Sequence, residues 1–552
     1  MVRLIRFSMI AALLTLATAG SAFATTYYVA ANGSDSNNGT SKQTPWLHAP
    51  GMSTCIATCA STTINAGDSI ILRGGDTWHF GNSGLSPFAG FQSNAWNFTR
   101  SGSSTGCNVS PASYVTTSCI YVGVDQTWYS GSAWARPILN FDNAVTNSVP
   151  SSCSYNFWAL NPVNFSGSYI IVDNLEFVGW CWSTSTGNQL YSLVSISNGS
   201  ELKNSYFHGV TATTAVTSTC SGGDCDEYWA TNGAGNGSGS QYSRRDHNVF
   251  DNSDGTFGNN PSYGNCIGPL ILGGGEIDHN YFNVTSNIVK YTAVFSFHDN
   301  LINGVYESPD GGTHGNIDEL PPAGWTIDTY AYNNVLLKNW SIGETYDLYP
   351  GDSSSGKAGF IFNNVTNSDV NNLGGNCFLV EGNDSGGPGP FYYFNNTSTN
   401  ACQMRNPGRG SNTATFENNH FINYSGSNIS DFSSVTNTDD ESEIWQSMAT
   451  ANGQGYTVGN NWAPTSSGAS TVGAGAVLSL LFCPLMDNAT AATACVEGLP
   501  ATGPITYNSS AHLVTDNALV PRGTTWDVGA YQFSSSSAGQ PLPPTSVQAT
   551  LD

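Results

Sequence analysis

The stretch SPDGGTHGNIDEL, residues 308–320, gathers reactive groups in a chain that is only 10% charged. It holds Asp310, His314, Asp318 and Glu319, with Glu307 just ahead of it. Carboxylates at this density can ligate Ca²⁺ or share the acid and base work of breaking a glycosidic bond. Lys290 and Glu344 lie upstream and downstream, and a lysine beside bound cations can act as a general base. The competing reading is a solvated turn, because Asp-Gly-Gly is strong turn chemistry. Arg244 and Arg245 stand together in YSRRDHN and could grip substrate carboxylates, or pair instead with Asp246 or Asp251. Trp180, Trp182, Trp229, Trp325 and Trp340 lie between regular segments. Such rings suit the flat faces of sugars, or pack loops onto a core.

Whether these groups meet depends on the elements that carry them. The central region repeats a short unit: IVDNLEF, LKNSYF, RDHNVF, IDHNYF, FHDNLI, AYNNVL, IFNNVT, YFNNTS and FENNHF. Its recurring asparagines are Asn174, Asn204, Asn248, Asn280, Asn300, Asn334, Asn364, Asn396 and Asn419, spaced 20 to 44 residues apart. Each unit reads as a short alternating strand, a corner at Asn, and a second short strand. One such coil cannot bury its apolar face alone, but stacked coils share a continuous core. The pattern predicts an all-β chain, a right-handed parallel β-helix with an N-terminal cap and a loop-rich C-terminal region. A β-propeller is the alternative, and units of 20 or 23 residues are too short for its four-stranded blades.

Counting ten residues on from Asn280, Asn300 and Asn334 gives Lys290, Asp310 and Glu344. If the coils keep register over that span, these three stack about 4.8 Å apart per layer. His314 would rim the same patch, and Asp318 and Glu319 would serve as metal ligands. The catalytic expectation is therefore Lys290, Asp310, Glu344 and His314. Arg244, Arg245, Trp325 and Trp340 are the expected substrate contacts. No cofactor is required outright; Ca²⁺ is the ion this set would take.

The opening segment TYYVAANGSDSNNGTSKQTPW, followed by INAGDSIILRGGDTW, resembles the start of pectate-lyase-like β-helix proteins. WDVGAYQF, from Trp526, resembles the closing strand of many secreted members. With the asparagine ladder, the resemblance spans most of residues 26–533. It implies the fold strongly and the activity weakly, since this superfamily contains lyases, hydrolases, esterases and non-enzymatic surface proteins.

Several local motifs have plainer readings. NGSDSNNGT, residues 32–40, places Asp35 and Asn37 like the first ligands of a calcium loop, but Gly39 stands where a third is needed. A turn is the better reading. Asn437-Thr438-Asp439 is similar to the acid motif of polygalacturonases, without the partner motifs that should follow. EIDHN, from Glu276, and RNPGR, from Arg405, are similar to fragments of pectate lyase motifs. DHN occurs at both Asp246 and Asp278, which fits a corner repeat better than a catalytic motif.

The ends and the charge set the context. Arg3 and Arg6 precede MIAALLTLATAG and then SAFA, which reads as a secretory signal over residues 1–24, cut after Ala24. Its removal leaves 13 basic residues against 39 acidic ones, a net charge of −26. That balance repels nucleic acid and anionic membranes, and also free polyanionic glycans unless a cation inverts the local field. Residues 25–150 should form the cap and first coils, 151–430 the regular helix, and 431–533 closing coils and covering loops. Residues 534–552 read as a Ser- and Pro-rich tail. The 13 cysteines suit an oxidising compartment. Sequence neighbours would pair as Cys55–Cys59, Cys107–Cys119, Cys153–Cys181, Cys220–Cys225, Cys377–Cys402 and Cys483–Cys495, leaving Cys266.

These features predict a secreted, monomeric protein that meets a polysaccharide at the cell surface or beyond it, without inserting in the membrane. The first expectation is an enzyme, a polysaccharide lyase or glycoside hydrolase. The alternative is a non-catalytic, adhesin-like matrix protein on the same solenoid.

Overall fold

The computed structural model describes residues 24–534 except 91–94, 156–161, 183–191, 214–228, 234–242, 256–270, 273–274, 284–287, 291–293, 307–317, 320–327, 341–343, 348–356, 369–377, 382–389, 401–402, 405–413 and 424–439. Three long sheets, each parallel throughout, run through it. A 13-stranded ladder sheet extends from Thr26–Val29 to Asp440–Glu441. A 13-stranded corner sheet extends from Thr77–His79 to Ile444–Gln446, and a ten-stranded flank sheet from Trp96–Phe98 to Gln403–Met404. Each coil visits ladder, corner and flank in turn, as in Gly275–Asp278, Tyr281–Asn283 and Val289–Lys290. The fold is a parallel β-helix.

The turn from ladder strand to corner strand explains the repeated sequence. A residue with left-handed backbone sits there on every regular coil: His247 (φ 55), His279 (54), Asp299 (54), Asn333 (57), Asn363 (56), Asn395 (53) and Asn418 (56). Asn, Asp and His are the side chains that tolerate this region best. The next residue turns inward and forms the ladder. Asn248 donates its Nδ2 to Oδ1 of Asn280 at 3.1 Å, and Asn280 does the same to Asn300 at 3.1 Å. The chain continues through Asn334, Asn364, Asn396 and Asn419 at 3.0–3.1 Å and ends on Glu443 at 2.9 Å. All these asparagines are buried. Buried amides need partners, and each ladder oxygen also accepts the backbone N–H of the preceding ladder residue.

Two expected ladder members are displaced by one residue. Asn174 (φ 59) and Asn204 (φ 51) occupy the left-handed corner itself. The ladder position on those coils belongs to Leu175 and Ser205, and the Ser205 backbone N–H donates to Asn248 Oδ1. The aromatic column shows the true register: Phe177, Phe207, Phe250 and Phe282 pair in sequence and stack at 4.6, 5.0 and 5.1 Å. Counting back two residues from each phenylalanine gives Leu175, Ser205, Asn248 and Asn280.

The C-terminal region folds back along the solenoid. Leu478, Phe482, Met486 and Trp526 pack on the outer ladder-sheet aromatics Tyr330, Tyr332, Phe360, Phe362 and Phe394. Tyr456, Trp462, Leu499 and Tyr531 cover the corner sheet at Val335, Val365 and Ile422. Further back, the hairpin Ile505–Asn508/Leu513–Asp516 lays Ile505 and Val514 on Tyr206, Val249 and Tyr281. Arg522, fully buried, fastens this return by donating to Asn363 Oδ1 and to the carbonyls of Glu497, Asp527 and Gly529.

Four of the expected disulfides are present: Cys55–Cys59, Cys107–Cys119, Cys153–Cys181 and Cys483–Cys495. Cys220, Cys225, Cys266, Cys377 and Cys402 lie outside the described residues. The calcium-like loop is a turn. The Asp35 carboxylate accepts the backbone N–H groups of Leu47, His48 and Ile56 and the ring of His48, leaving it committed to structure. At Gly39 (φ 71) a Cβ would meet the Trp46 ring at 2.4 Å, so only glycine fits.

Candidate functional site

On the flank sheet, chemistry-bearing residues fall on one register row. Val289 pairs with Asp318, and Asp318 with Tyr346. One residue further on, Glu319 pairs with Asp347 and Asp347 with Glu381. Lys290, following Val289, enters the same row, whose earlier members are Asn164, Ser195, Asn232 and Leu272. Asn164 and Ser195 are half-buried, while Val163, Phe165, Val194 and Ile196 beside them are in the core. The row Lys290–Glu319–Asp347–Glu381 continues this same register position along the sheet. Adjacent members are one coil, about 4.8 Å, apart.

This row revises the expected stack. Lys290 and Glu319 share it, but Glu344 stands three residues before Asp347 on its strand, opposite Phe378. Asp318 occupies the alternate row, with Val289 and Tyr346. Asp310, His314 and Trp325 lie outside the described residues. Trp340 ends the corner-sheet strand Val335–Trp340 and pairs with Tyr306. Asp347 and Glu381 escaped the sequence reading. Relative to the ladder asparagines, the row falls ten residues after Asn280, 19 after Asn300, 13 after Asn334 and 17 after Asn364. No fixed offset finds it.

The second polar assembly lies on the outer face of the ladder sheet. Arg244 is buried there, bonded to Asp278 through Nε (2.8 Å) and Nη2 (2.5 Å), and to Glu201 through Nη1 (3.1 Å). Glu201 also takes Lys203 at 3.0 Å and the Tyr114 hydroxyl at 2.5 Å. His298 bridges Glu276 at 2.9 Å and Asp299 at 2.7 Å, under the ring of Tyr332. Burial, then the charge of Asp246, lifts the Glu201 carboxyl to about 8 against its cationic neighbours. Burial works against charging His298, yet its bonds to Asp299 and Glu276 hold it up at about 10. Asp278 is pushed well below the usual carboxylate range: burial opposes this, and Arg244 and His279 prevail. Among the described residues, Glu276 Oε2 is buried here without a hydrogen-bond partner.

These contacts correct the arginine expectation. Arg244 is committed to buried acids. Arg245 is fully buried, on the inward row of Leu202, Ile277 and Phe297. Trp180 is likewise core, edge-on to Phe141 at 5.5 Å. DHN is a corner repeat, as expected, with Asp246 and Asp278 outward, His247 and His279 at the turn, and Asn248 and Asn280 in the ladder.

Fold and register together define a parallel β-helix whose flank sheet brings a lysine and three acidic residues to one register row. No family model and no curated protein matches the chain. Among solved structures it is similar to pectate lyase Pel9A, at 16% identity and a TM-score of 0.39, covering 93% of this chain and 98% of that one. A rhamnogalacturonan lyase is similar at 12% identity and a TM-score of 0.36, over 77% of this chain and 88% of that one. The GH136 lacto-N-biosidase from Eubacterium ramulus is similar at 14% identity and a TM-score of 0.36, over 77% and 68%.

Proposed function

We propose that this is a secreted polysaccharide-cleaving enzyme whose substrate lies along the flank sheet, with Lys290, Glu319, Asp347 and Glu381 as its reactive row. The observation that carries this reading is their common register position on four successive strands. Elimination suits the row best. Lys290, in its neutral form, would take the proton alpha to a uronate carboxylate, the bond to the leaving glycosidic oxygen would break as the double bond forms, and water would protonate that oxygen. Glu319, Asp347 and Glu381 offer the hard oxygen donors that Ca²⁺ prefers. Bound there, Ca²⁺ would neutralise the uronate carboxylate and offset the repulsion of a polyanion by a strongly acidic protein.

Hydrolysis is the second reading, favoured by the one-coil spacing of Glu319, Asp347 and Glu381. Carboxyls about 5 Å apart are the arrangement of retaining glycosidases. The four disulfides are compatible with export, and among the described residues the apolar clusters of the C-terminal region pack on the ladder and corner sheets. The test is a polysaccharide panel read by both reducing ends and the absorbance of unsaturated uronates. Both signals together support elimination, and reducing ends alone support hydrolysis. Binding without either signal would favour the adhesin-like alternative.

A further inference from the structure

The left-handed corners carry a second, outer ladder. Asn333 donates to Asp299 at 2.9 Å, Asn363 to Asn333 at 3.1 Å, and Asn418 to Asn395 at 3.1 Å. Two successive coils break the pattern with His247 and His279, whose rings stack at 5.0 Å, 3° from parallel. Imidazoles stacked in this way cannot pass a hydrogen bond from coil to coil as amides do. Their Nε2 atoms instead face one carboxylate, that of Asp516 at the end of the C-terminal hairpin. His247 Nε2 is 2.8 Å from Asp516 Oδ1, and His279 Nε2 is 3.7 Å from it.

We propose that His247, His279 and Asp516 form a binding site for a divalent transition-metal ion of the zinc class, which ties the returning hairpin to two coils of the solenoid. The three ligand atoms lie within 4.8 Å of one another. Zinc bonds of about 2.0–2.2 Å hold tetrahedral ligands roughly 3.3 Å apart, so binding requires the two rings to tilt out of their parallel stack until both Nε2 lone pairs and the Asp516 carboxylate converge on one point. The far nitrogens are already oriented: His247 Nδ1 bonds Asp246 and His279 Nδ1 bonds Asp278, each at 2.8 Å. A buried carboxylate behind each imidazole is the outer shell that fixes a metal-binding histidine. Two imidazoles and one carboxylate suit zinc better than calcium or magnesium. Asp516 is 56% exposed, which leaves a fourth position open to water.

The rival arrangement is a metal-free clamp, with protonated imidazoles bridging Asp246, Asp278 and Asp516. Tag-free mature protein, stripped with chelator, would be titrated with Zn²⁺ by calorimetry and with Co²⁺ by visible absorption. One equivalent should bind, and Co²⁺ should show the intense d–d bands of a four-coordinate ion. His279→Gln and Asp516→Asn should each weaken binding at least tenfold, while His208→Gln, at a histidine outside the site, should bind like wild type. Far-UV circular dichroism establishes that each variant is folded. Because Asp516 sits on an exposed hairpin end, its variant serves even if His279→Gln does not fold. Absence of binding by wild type, or wild-type affinity in folded Asp516→Asn, would overturn the site in favour of the clamp.

Discussion

Asn300 gives both its backbone N–H and its Nδ2 to a single atom, Oδ1 of Asn334, at 3.1 and 3.0 Å across 34 residues of sequence. Asn334 in turn donates to the Phe297 carbonyl and to Asn364. Removing that amide strands buried donors on the neighbouring coil. Asn334→Ala should therefore lose about 1–3 kcal/mol of stability, with Asn364→Ala similar. Chemical denaturation of both variants checks this, and unchanged midpoints in both would refute an energetic role for the ladder.

The buried network around Arg244 makes an asymmetric prediction. Arg244→Ala leaves the Asp278 carboxylate buried without its arginine and takes a donor from Glu201, and should destabilise by about 3–5 kcal/mol. Glu201→Gln should be far milder, because Glu201 already holds its proton up to about pH 8. A raised carboxyl pKa means the folded state binds the proton more tightly, so stability drains away as pH climbs from the ordinary glutamate value toward 8. Glu201→Gln should flatten that slope in thermal melts across this range. Equal damage from both substitutions would contradict the assignment.

His208 provides a second pH signature on the corner sheet. It bonds Asp254 at 2.7 Å and Glu176 at 3.3 Å. Burial opposes its charge, but these bonds raise it to about 9. With the folded pKa raised, the contribution is complete below the unfolded value of about 6.5 and disappears as pH rises through about 9. The gap in melting temperature between wild type and His208→Gln should shrink over that window. A gap that stays constant would show that the imidazolium is not the stabilising species.

The Cys483–Cys495 bridge closes a 12-residue segment that roofs the outer aromatics of the ladder sheet. Replacing both cysteines by alanine should cost about 2–4 kcal/mol. Non-reduced peptide mapping should recover this pair and Cys107–Cys119 as linked peptides. Finding Cys266 in either bridge would overturn the pairing.

The fold was largely legible because its signal is chemical as well as periodic. Corners demand Asn, Asp or His, and the residue after them must stack amides, so the DHN and NN pairs mark coils directly. The reading slipped at Asn174 and Asn204, where the asparagine serves the corner and the inward position holds Leu175 or Ser205. There the phenylalanine column, not the asparagine, keeps register. The site was less legible for a related reason. The segments linking corner strand to flank strand differ in length from coil to coil, so register within the ladder does not carry over to the flank. Lys290 and Glu319 emerged as candidates, while Asp347 and Glu381 are marked only by strand pairing. The networks built by Glu201, Arg244 and Asp516 join residues distant in sequence, with no local motif to announce them.

The most direct measurement is the initial rate of Lys290→Ala, Asp347→Asn and wild type on the polysaccharide that gives the largest signal in the panel. Each rate would be followed by reducing ends and by unsaturated-uronate absorbance, with folding checked by circular dichroism. A catalytic flank row requires wild-type cleavage and a loss of about 10²–10⁴-fold in both variants, with Glu344→Gln much less affected. Full activity in folded Lys290→Ala and Asp347→Asn would contradict it.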